Sequence, residues 1–154
     1  MATFSSVEYA QQQSSFQKAS VDTIAKLFLA KFSYTQVGAG TIGDDVSAIE
    51  LPAGKITIYP DLSRLVTSAG GGSGTTSVGL RAYTSSANAT VAADTAKFES
   101  LRATSGATDA ALALPAVGKV AIDSRNGVVV SLTNGTTAMP NAMTLDGWIA
   151  YTRG

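Results

Sequence analysis

The sequence predicts a mostly β, single-domain protein: a β-sandwich or jelly-roll-like barrel with one short helix and an N-terminal arm. Three observations carry that expectation. Short apolar runs recur every 8–12 residues between Gly, Pro and Asn punctuation, the spacing of sandwich and barrel strands. Several runs alternate with the period of two that half-buried strands require. The chain has 154 residues, enough for one core and too few for two comfortable ones.

Residues 1–22 form the arm, and residues 23–154 the β-domain. The arm is polar and rich in Gln and Ser (Gln11, Gln12, Gln13, Ser14, Ser15), with Phe4, Val7, Tyr9 and Phe16 scattered along it. Two readings stand side by side, a disordered tail and an arm ordered only against a neighbouring subunit. On the second, those four residues are interface candidates.

Ile24–Val37 reads as a long strand with Ile24, Phe28, Phe32 and Tyr34 on one parity, Lys26 being the exception, and Leu27, Leu29 and Lys31 on the other. The β-branched and aromatic content disfavours the helix that competes over residues 22–31. Gly38–Asp45 turns the chain. Val46–Leu51, Lys55–Tyr59 and Leu62–Thr67 are short strands broken by Pro52-Ala53-Gly54 and Pro60-Asp61. Gly70–Gly74 is a loop, Thr75–Tyr83 an alternating strand and Ser85–Thr90 another loop. Asp94 caps the one expected helix, which runs to about Arg102 with Phe98 and Leu101 on its buried side. Leu112–Ile122 is strand-like with a kink at Pro115. Asn126-Gly127, between Val120–Ile122 and Val128–Leu132, signals a tight hairpin because both residues tolerate positive φ. Leu145–Thr152 closes the chain with Leu145, Gly147, Ile149 and Tyr151 on one face and Trp148 on the other. Trp148 is open to two readings, a core tryptophan or an interface anchor.

Composition bears on function. Hydrophobic residues make up 45% and charged ones only 14%, against roughly 25% charged in ordinary globular proteins. Ser, Thr, Gly, Ala and Asn must therefore cover much of the surface, which is easily desolvated and suits packing against neighbours. The 11 basic and 11 acidic residues are scattered singly and cancel. Direct nucleic-acid binding and a membrane-surface patch are thus not expected. No apolar stretch approaches the ~20 residues of a membrane span, and Met1–Ser6 lacks a signal-peptide pattern. The sequence is expected to be made and kept in a cytoplasm.

Catalysis is not expected. Histidine and cysteine are both absent, removing Ser-His and Cys-His pairs and the usual zinc ligands. Of the carboxylates (eight Asp and three Glu) none lies in an apolar context that would tune its pKa for acid/base work. No catalytic residue, cofactor or metal site is predicted. Asp44-Asp45 lacks the further spaced oxygens of a cation site. Gly38-Ala39-Gly40-Thr41-Ile42-Gly43 matches a dinucleotide-binding glycine pattern, but two carboxylates follow it and Pro52 stops any helix that would hold the pyrophosphate. Gly70–Gly74 lacks the Lys-Ser/Thr of a phosphate loop.

From Val46 onward the sequence resembles small virion proteins of tailed bacteriophages. The stretches that carry the resemblance are Ile49–Ile56, Val78–Tyr83, Val91–Phe98, Gly127–Leu132 and Gly147–Tyr151, about two-thirds of the chain with residues 1–22 outside it. The resemblance implies a subunit of the particle, of the capsid decoration or cement type. Its implied partners are the major capsid protein and copies of itself, with a trimer as the expected form, and its implied place is the virion, assembled in the bacterial host cytoplasm. A neck, tail or fibre component and a receptor- or carbohydrate-binding module are the alternatives.

Overall fold

The computed structural model describes residues 26–68, 74–113 and 118–154. Twelve strands and one 3-10 turn follow in order: β1 (Leu27–Thr35), β2 (Asp45–Leu51), β3 (Gly54–Ile58), the turn Pro60–Leu62, β4 (Arg64–Thr67), β5 (Thr75–Leu80), β6 (Tyr83–Thr84), β7 (Thr90–Val91), β8 (Asp94–Ala103), β9 (Thr108–Ala111), β10 (Val120–Ser124), β11 (Val128–Asn134) and β12 (Thr144–Arg153). They form two antiparallel sheets and a small hairpin, β6–β7. The larger sheet runs β10-β3-β12-β4-β9, with β1 on the other edge of β12; the smaller runs β2-β11-β5-β8. The protein is a β-sandwich. The barrel alternative is overturned, because both sheets remain open at their edges among the described residues.

The core lies between the sheets. From the larger come Phe32, Ile56, Ile58, Leu65, Ile122, Leu145 and Ile149; from the smaller Leu51, Val78, Leu80, Phe98, Val128, Val130 and Leu132. Alternation accounts for most of these, since every second residue of β3, β4, β11 and β12 points inward. In β2 the alternation breaks: Val130 pairs with Ile49 and Ser131 with Ser47, so Ala48 is an extra residue in a β-bulge. The bulge exchanges parity, which lets Val46 and then Ile49 and Leu51 all face the core.

Two expectations fail here, each for a definite reason. Asn126-Gly127 is a turn with Gly127 at φ 94°, but not a hairpin. β10 belongs to the larger sheet and β11 to the smaller, and the chain turns a corner between them. Pro52-Ala53 does the same between β2 and β3. Because Leu51 pairs with Val128 and Gly54 with Ser124, the two corners run side by side and a double strand bends from sheet to sheet. A Cβ on Gly127 would lie 2.7 Å from the Leu51 carbonyl oxygen, so the close approach of the corners needs glycine as much as the dihedral does.

The expected helix at Asp94–Arg102 is strand β8. Phe98 is fully buried, whereas Leu101, its supposed partner three residues on, is 56% exposed. Irregular register against β5 explains the misleading spacing: Leu80 pairs with Asp94, Val78 with Glu99 and Thr76 with Arg102. Extra residues in β8 destroy the period of two. The strand therefore folds tightly over β5, where a Cβ on Gly79 would meet the Asp94 carbonyl oxygen at 2.0 Å.

The glycine-rich segment after β1 is a loop that runs directly into β2. Gly40 donates to the Met139 carbonyl (2.9 Å) and Gly43 to that of Asn134 (2.9 Å). Asp44 accepts the Thr41 amide at 2.6 Å. No helix starts in this loop, so no amide dipole is presented to a phosphate.

Candidate interaction surface

The outer face of the larger sheet carries the most distinctive surface. Its foundation is the way β3 and β4 share one edge of β12. Tyr151 pairs with Ile58 and Trp148 with Arg64. Two residues of β12 (149 and 150) thus face five on the other side (59–63), and the surplus is wound into the 3-10 turn.

Side chains hold that oversized bulge. The Ser63 hydroxyl donates to the Tyr59 carbonyl at 2.8 Å and accepts the Ala150 amide at 2.9 Å. It stands in for the carbonyl that a regular strand would have offered. The Trp148 indole N–H donates to the Leu62 carbonyl at 2.9 Å. Trp148 is therefore half-buried on the outer face, bracing the bulge with its polar edge, and does not enter the core between the sheets.

The same face exposes apolar side chains. Leu27 (49% exposed) and Leu29 (51%) project from β1, and Leu62 (50%) from the bulge. Cross-strand pairing of Leu27 with Thr152, Leu29 with Ala150 and Lys31 with Trp148 puts Leu27 and Leu29 on the face of Trp148, to which Leu62 is tied through its carbonyl. Beside Trp148 a shallow hollow is lined by Lys31, Ser33, Val66 and Asp146. Phe28, on the opposite parity, stacks on Tyr151 with ring centroids 5.4 Å apart.

Charges around this surface are only partly paired: Lys31 and Asp146, in the hollow beside Trp148, form no ion pair among the described residues. Arg64 pairs with Asp109 across β4 and β9. That hydrogen bond holds the Asp109 carboxyl below the ordinary aspartate value and raises Arg64. At one side of the sandwich Glu99 and Arg102 form the most buried ion pair among the described residues, at 2.5 Å. Arg102 also donates to the Ala110 carbonyl at 3.0 Å and to that of Ala111. Glu99 accepts the Ala113 amide at 2.8 Å. The pair ties β8 of one sheet to β9 of the other.

Of the interface candidates, Trp148 lies within this surface, while Phe4, Val7, Tyr9 and Phe16 lie outside the described residues. Leu27, Leu29 and Leu62 are its unforeseen members. Their signal was present: Leu27-Phe28-Leu29 is apolar on both parities, so one parity had to face outward. Among the described residues no group of three or more Asp or Glu gathers as a metal site. Asp45 is paired with Arg81 at 2.7 Å.

No known family model matches the sequence, and no curated protein does. A solved chain from the structure titled "Cyanophage Pam1 capsid asymmetric unit" is similar in fold, with a TM-score of 0.60 and 15% identity. The match covers 84% of this chain and 86% of that one, so the two are of similar length. At this identity the likeness establishes a shared β-sandwich fold.

Proposed function

We propose that the chain is a non-enzymatic structural subunit of a bacteriophage virion, a decoration or cement protein that binds and stabilises the head shell. The observation that carries this reading is the fold likeness along nearly the whole length of both chains to a chain from a cyanophage capsid. The surface supports it. An apolar face built on Leu27, Leu29, Leu62 and Trp148, with few charges beside it and Arg64 already paired to Asp109, suits lasting burial against other subunits.

The subunit acts by mass action. Binding the assembled shell and not its dissociated parts shifts the equilibrium toward the shell. Its partners are the major capsid protein and further copies of itself, with a trimer as the form that lets several modest contacts act together. Phe4, Val7, Tyr9 and Phe16 supply a second attachment by seating on a neighbour. The protein resides in the virion and is assembled there in the host cytoplasm.

Heating particles made with and without this subunit, and scoring DNA release, tests the reading. Particles lacking it should release DNA at a lower temperature. Identical release temperatures would overturn the cement role.

A further inference from the structure

The larger sheet ends at β10, which pairs with β3 along its length and, among the described residues, meets on its outer side only the segment at Ser85, in a bridge at Ser124. Past its other side lies a groove of about 590 Å³ whose far wall is Asp94–Lys97 of β8. Its lining is mostly apolar and includes Leu80, Tyr83, Val91, Ala96, Val120 and Ile122. Two outward backbone groups of this edge are already used. The Asp123 carbonyl accepts from Ser86 at 3.4 Å, and the Arg125 amide donates to Thr84 at 2.8 Å. Antiparallel strands direct alternate residues to the same side, so the N–H and C=O of Ala121 also face away from β3. Among the described residues no strand meets them there. An unpaired edge beside an apolar groove is the receptor for an added strand.

We infer that this groove receives residues 4–10 of the arm of a second copy, added as a strand along Val120–Ile122. Val7 and Tyr9 share one parity and alternate with Glu8 and Ala10, the pattern of a strand with one apolar side. Leu27, Thr152, Thr57 and Ala121 form one row across β1, β12, β3 and β10. Three steps of about 4.8 Å put the start of β1 roughly 15 Å from the edge of its own subunit. Residues 11–26 can span about 50 Å when extended, several times that distance. A domain of this size has a radius of gyration of about 14 Å and a width of roughly 35 Å. The polar Gln11–Ser15 spacer thus has the reach to cross to a neighbour and is far longer than a return to the same subunit needs. The inference rests on the virion-subunit reading only for placing copies side by side.

The chain has no cysteine, so single thiols can be introduced cleanly. Full-length Val7→Cys and Tyr9→Cys chains are each mixed with a full-length Ala121→Cys chain and oxidised, at a concentration where sedimentation shows association. Glu50→Cys, exposed on the opposite sheet, replaces Ala121→Cys in the control. A mixed disulfide dimer forming at least ten-fold faster with Ala121→Cys than with the control is expected. Equal rates in associated chains would overturn the groove assignment and leave the virion-subunit reading standing. A Val7→Cys/Ala121→Cys double variant that closes only on itself would overturn the exchange between copies. Chains that stay monomeric and also fail to bind shells would remove both.

Discussion

Phe32 of β1 sits directly opposite Gly147 of β12, and its ring occupies the space that a side chain at Gly147 would need. A Cβ there would lie 2.9 Å from Phe32 Cζ and 2.0 Å from the Arg64 carbonyl oxygen on the other flank. The backbone of β12 is thus pinched between its two neighbours. The ring covers the bare glycine backbone and rests against the core with 8% of its surface exposed. Gly147→Ala must displace β4, because the nearer obstacle is backbone. Its expected cost is about 3 kcal/mol or more, at the upper end of ordinary single-site effects. Urea unfolding monitored by Trp148 fluorescence should show a lower midpoint with unchanged slope.

The bulge between β3 and β4 predicts a contrast between two polar side chains. Ser63 is buried and makes two side-chain hydrogen bonds, one of them the partner of the Ala150 amide. Ser63→Ala should cost about 1–3 kcal/mol, since it strands a buried donor. Trp148→Phe removes one bond to the Leu62 carbonyl at a solvent-facing site. It should cost about 1 kcal/mol from that bond. If both variants unfold at the same denaturant concentration, the hydroxyl does not substitute for a strand partner.

Glu99 and Arg102 link the sheets in a poorly solvated position, with side chains 10% and 12% exposed. Arg102→Met leaves the Glu99 carboxylate without its cation and frees the Ala110 and Ala111 carbonyls. A loss of about 3–5 kcal/mol is expected. The double variant Glu99→Gln/Arg102→Met should be distinctly more stable than Arg102→Met alone, because the stranded charge is gone. A double variant no better than the single one would show that Arg102 acts through its carbonyl contacts.

Arg64–Asp109 gives a pH dependence of definite sign. The hydrogen bond from Arg64 depresses the Asp109 pKa in the folded state. Its contribution is therefore present above the unfolded aspartate pKa of about 3.9 and is lost as pH falls through the lower folded value. Both groups are exposed, so the effect is small and weakened by salt. The stability difference between the native chain and Asp109→Asn should be constant from neutral pH to about pH 5 and vanish in stronger acid. A difference that grows on acidification would contradict the assignment.

These contrasts show what could be read from the chain and what could not. Alternation in β1 and β12 was legible, because Phe28, Phe32 and Tyr34, and Leu145 and Ile149, repeat with period two. Which parity faces inward was not, since Leu27 and Leu29, or Trp148, could have filled a core as well. The turns at Pro52–Gly54 and Asn126-Gly127 were legible as changes of direction. Which sheet the next strand joins was not, since turn chemistry fixes local dihedrals and leaves strand partners to long-range pairing. β8 was misread because its bulges bring Phe98 and Leu101 to a helical spacing. At the interaction surface, the excess of apolar residues at Leu27–Leu29 was visible. Trp148's role was not, because its partner at Leu62 exists only once residues 59–63 are forced against residues 149–150.

The last prediction follows from the proposed cement role and concerns the forces that would hold such a subunit in place. Beside the apolar face Arg64 already binds Asp109 within the same chain, which leaves Lys31 and Asp146 as the charged groups next to Trp148. Few charges remain to pair with a neighbour, in keeping with a chain only 14% charged. Association through Leu27, Leu29, Leu62 and Trp148 should then draw mainly on apolar burial. Leu29→Lys should weaken it by roughly the 1.5–3 kcal/mol of one buried leucine, or more once the charge must be desolvated. Burial of this kind is insensitive to screening, whereas exposed ion pairs fade as the Debye length falls to about 3 Å at 1 M salt. The difference in DNA-release temperature between complete particles and those lacking the subunit should therefore persist from low salt to about 1 M. Leu29→Lys particles should lie closer to the subunit-free ones throughout that range. A gap that closes with added salt would assign the attachment to ion pairs, and wild-type behaviour of Leu29→Lys would move the contact off this face.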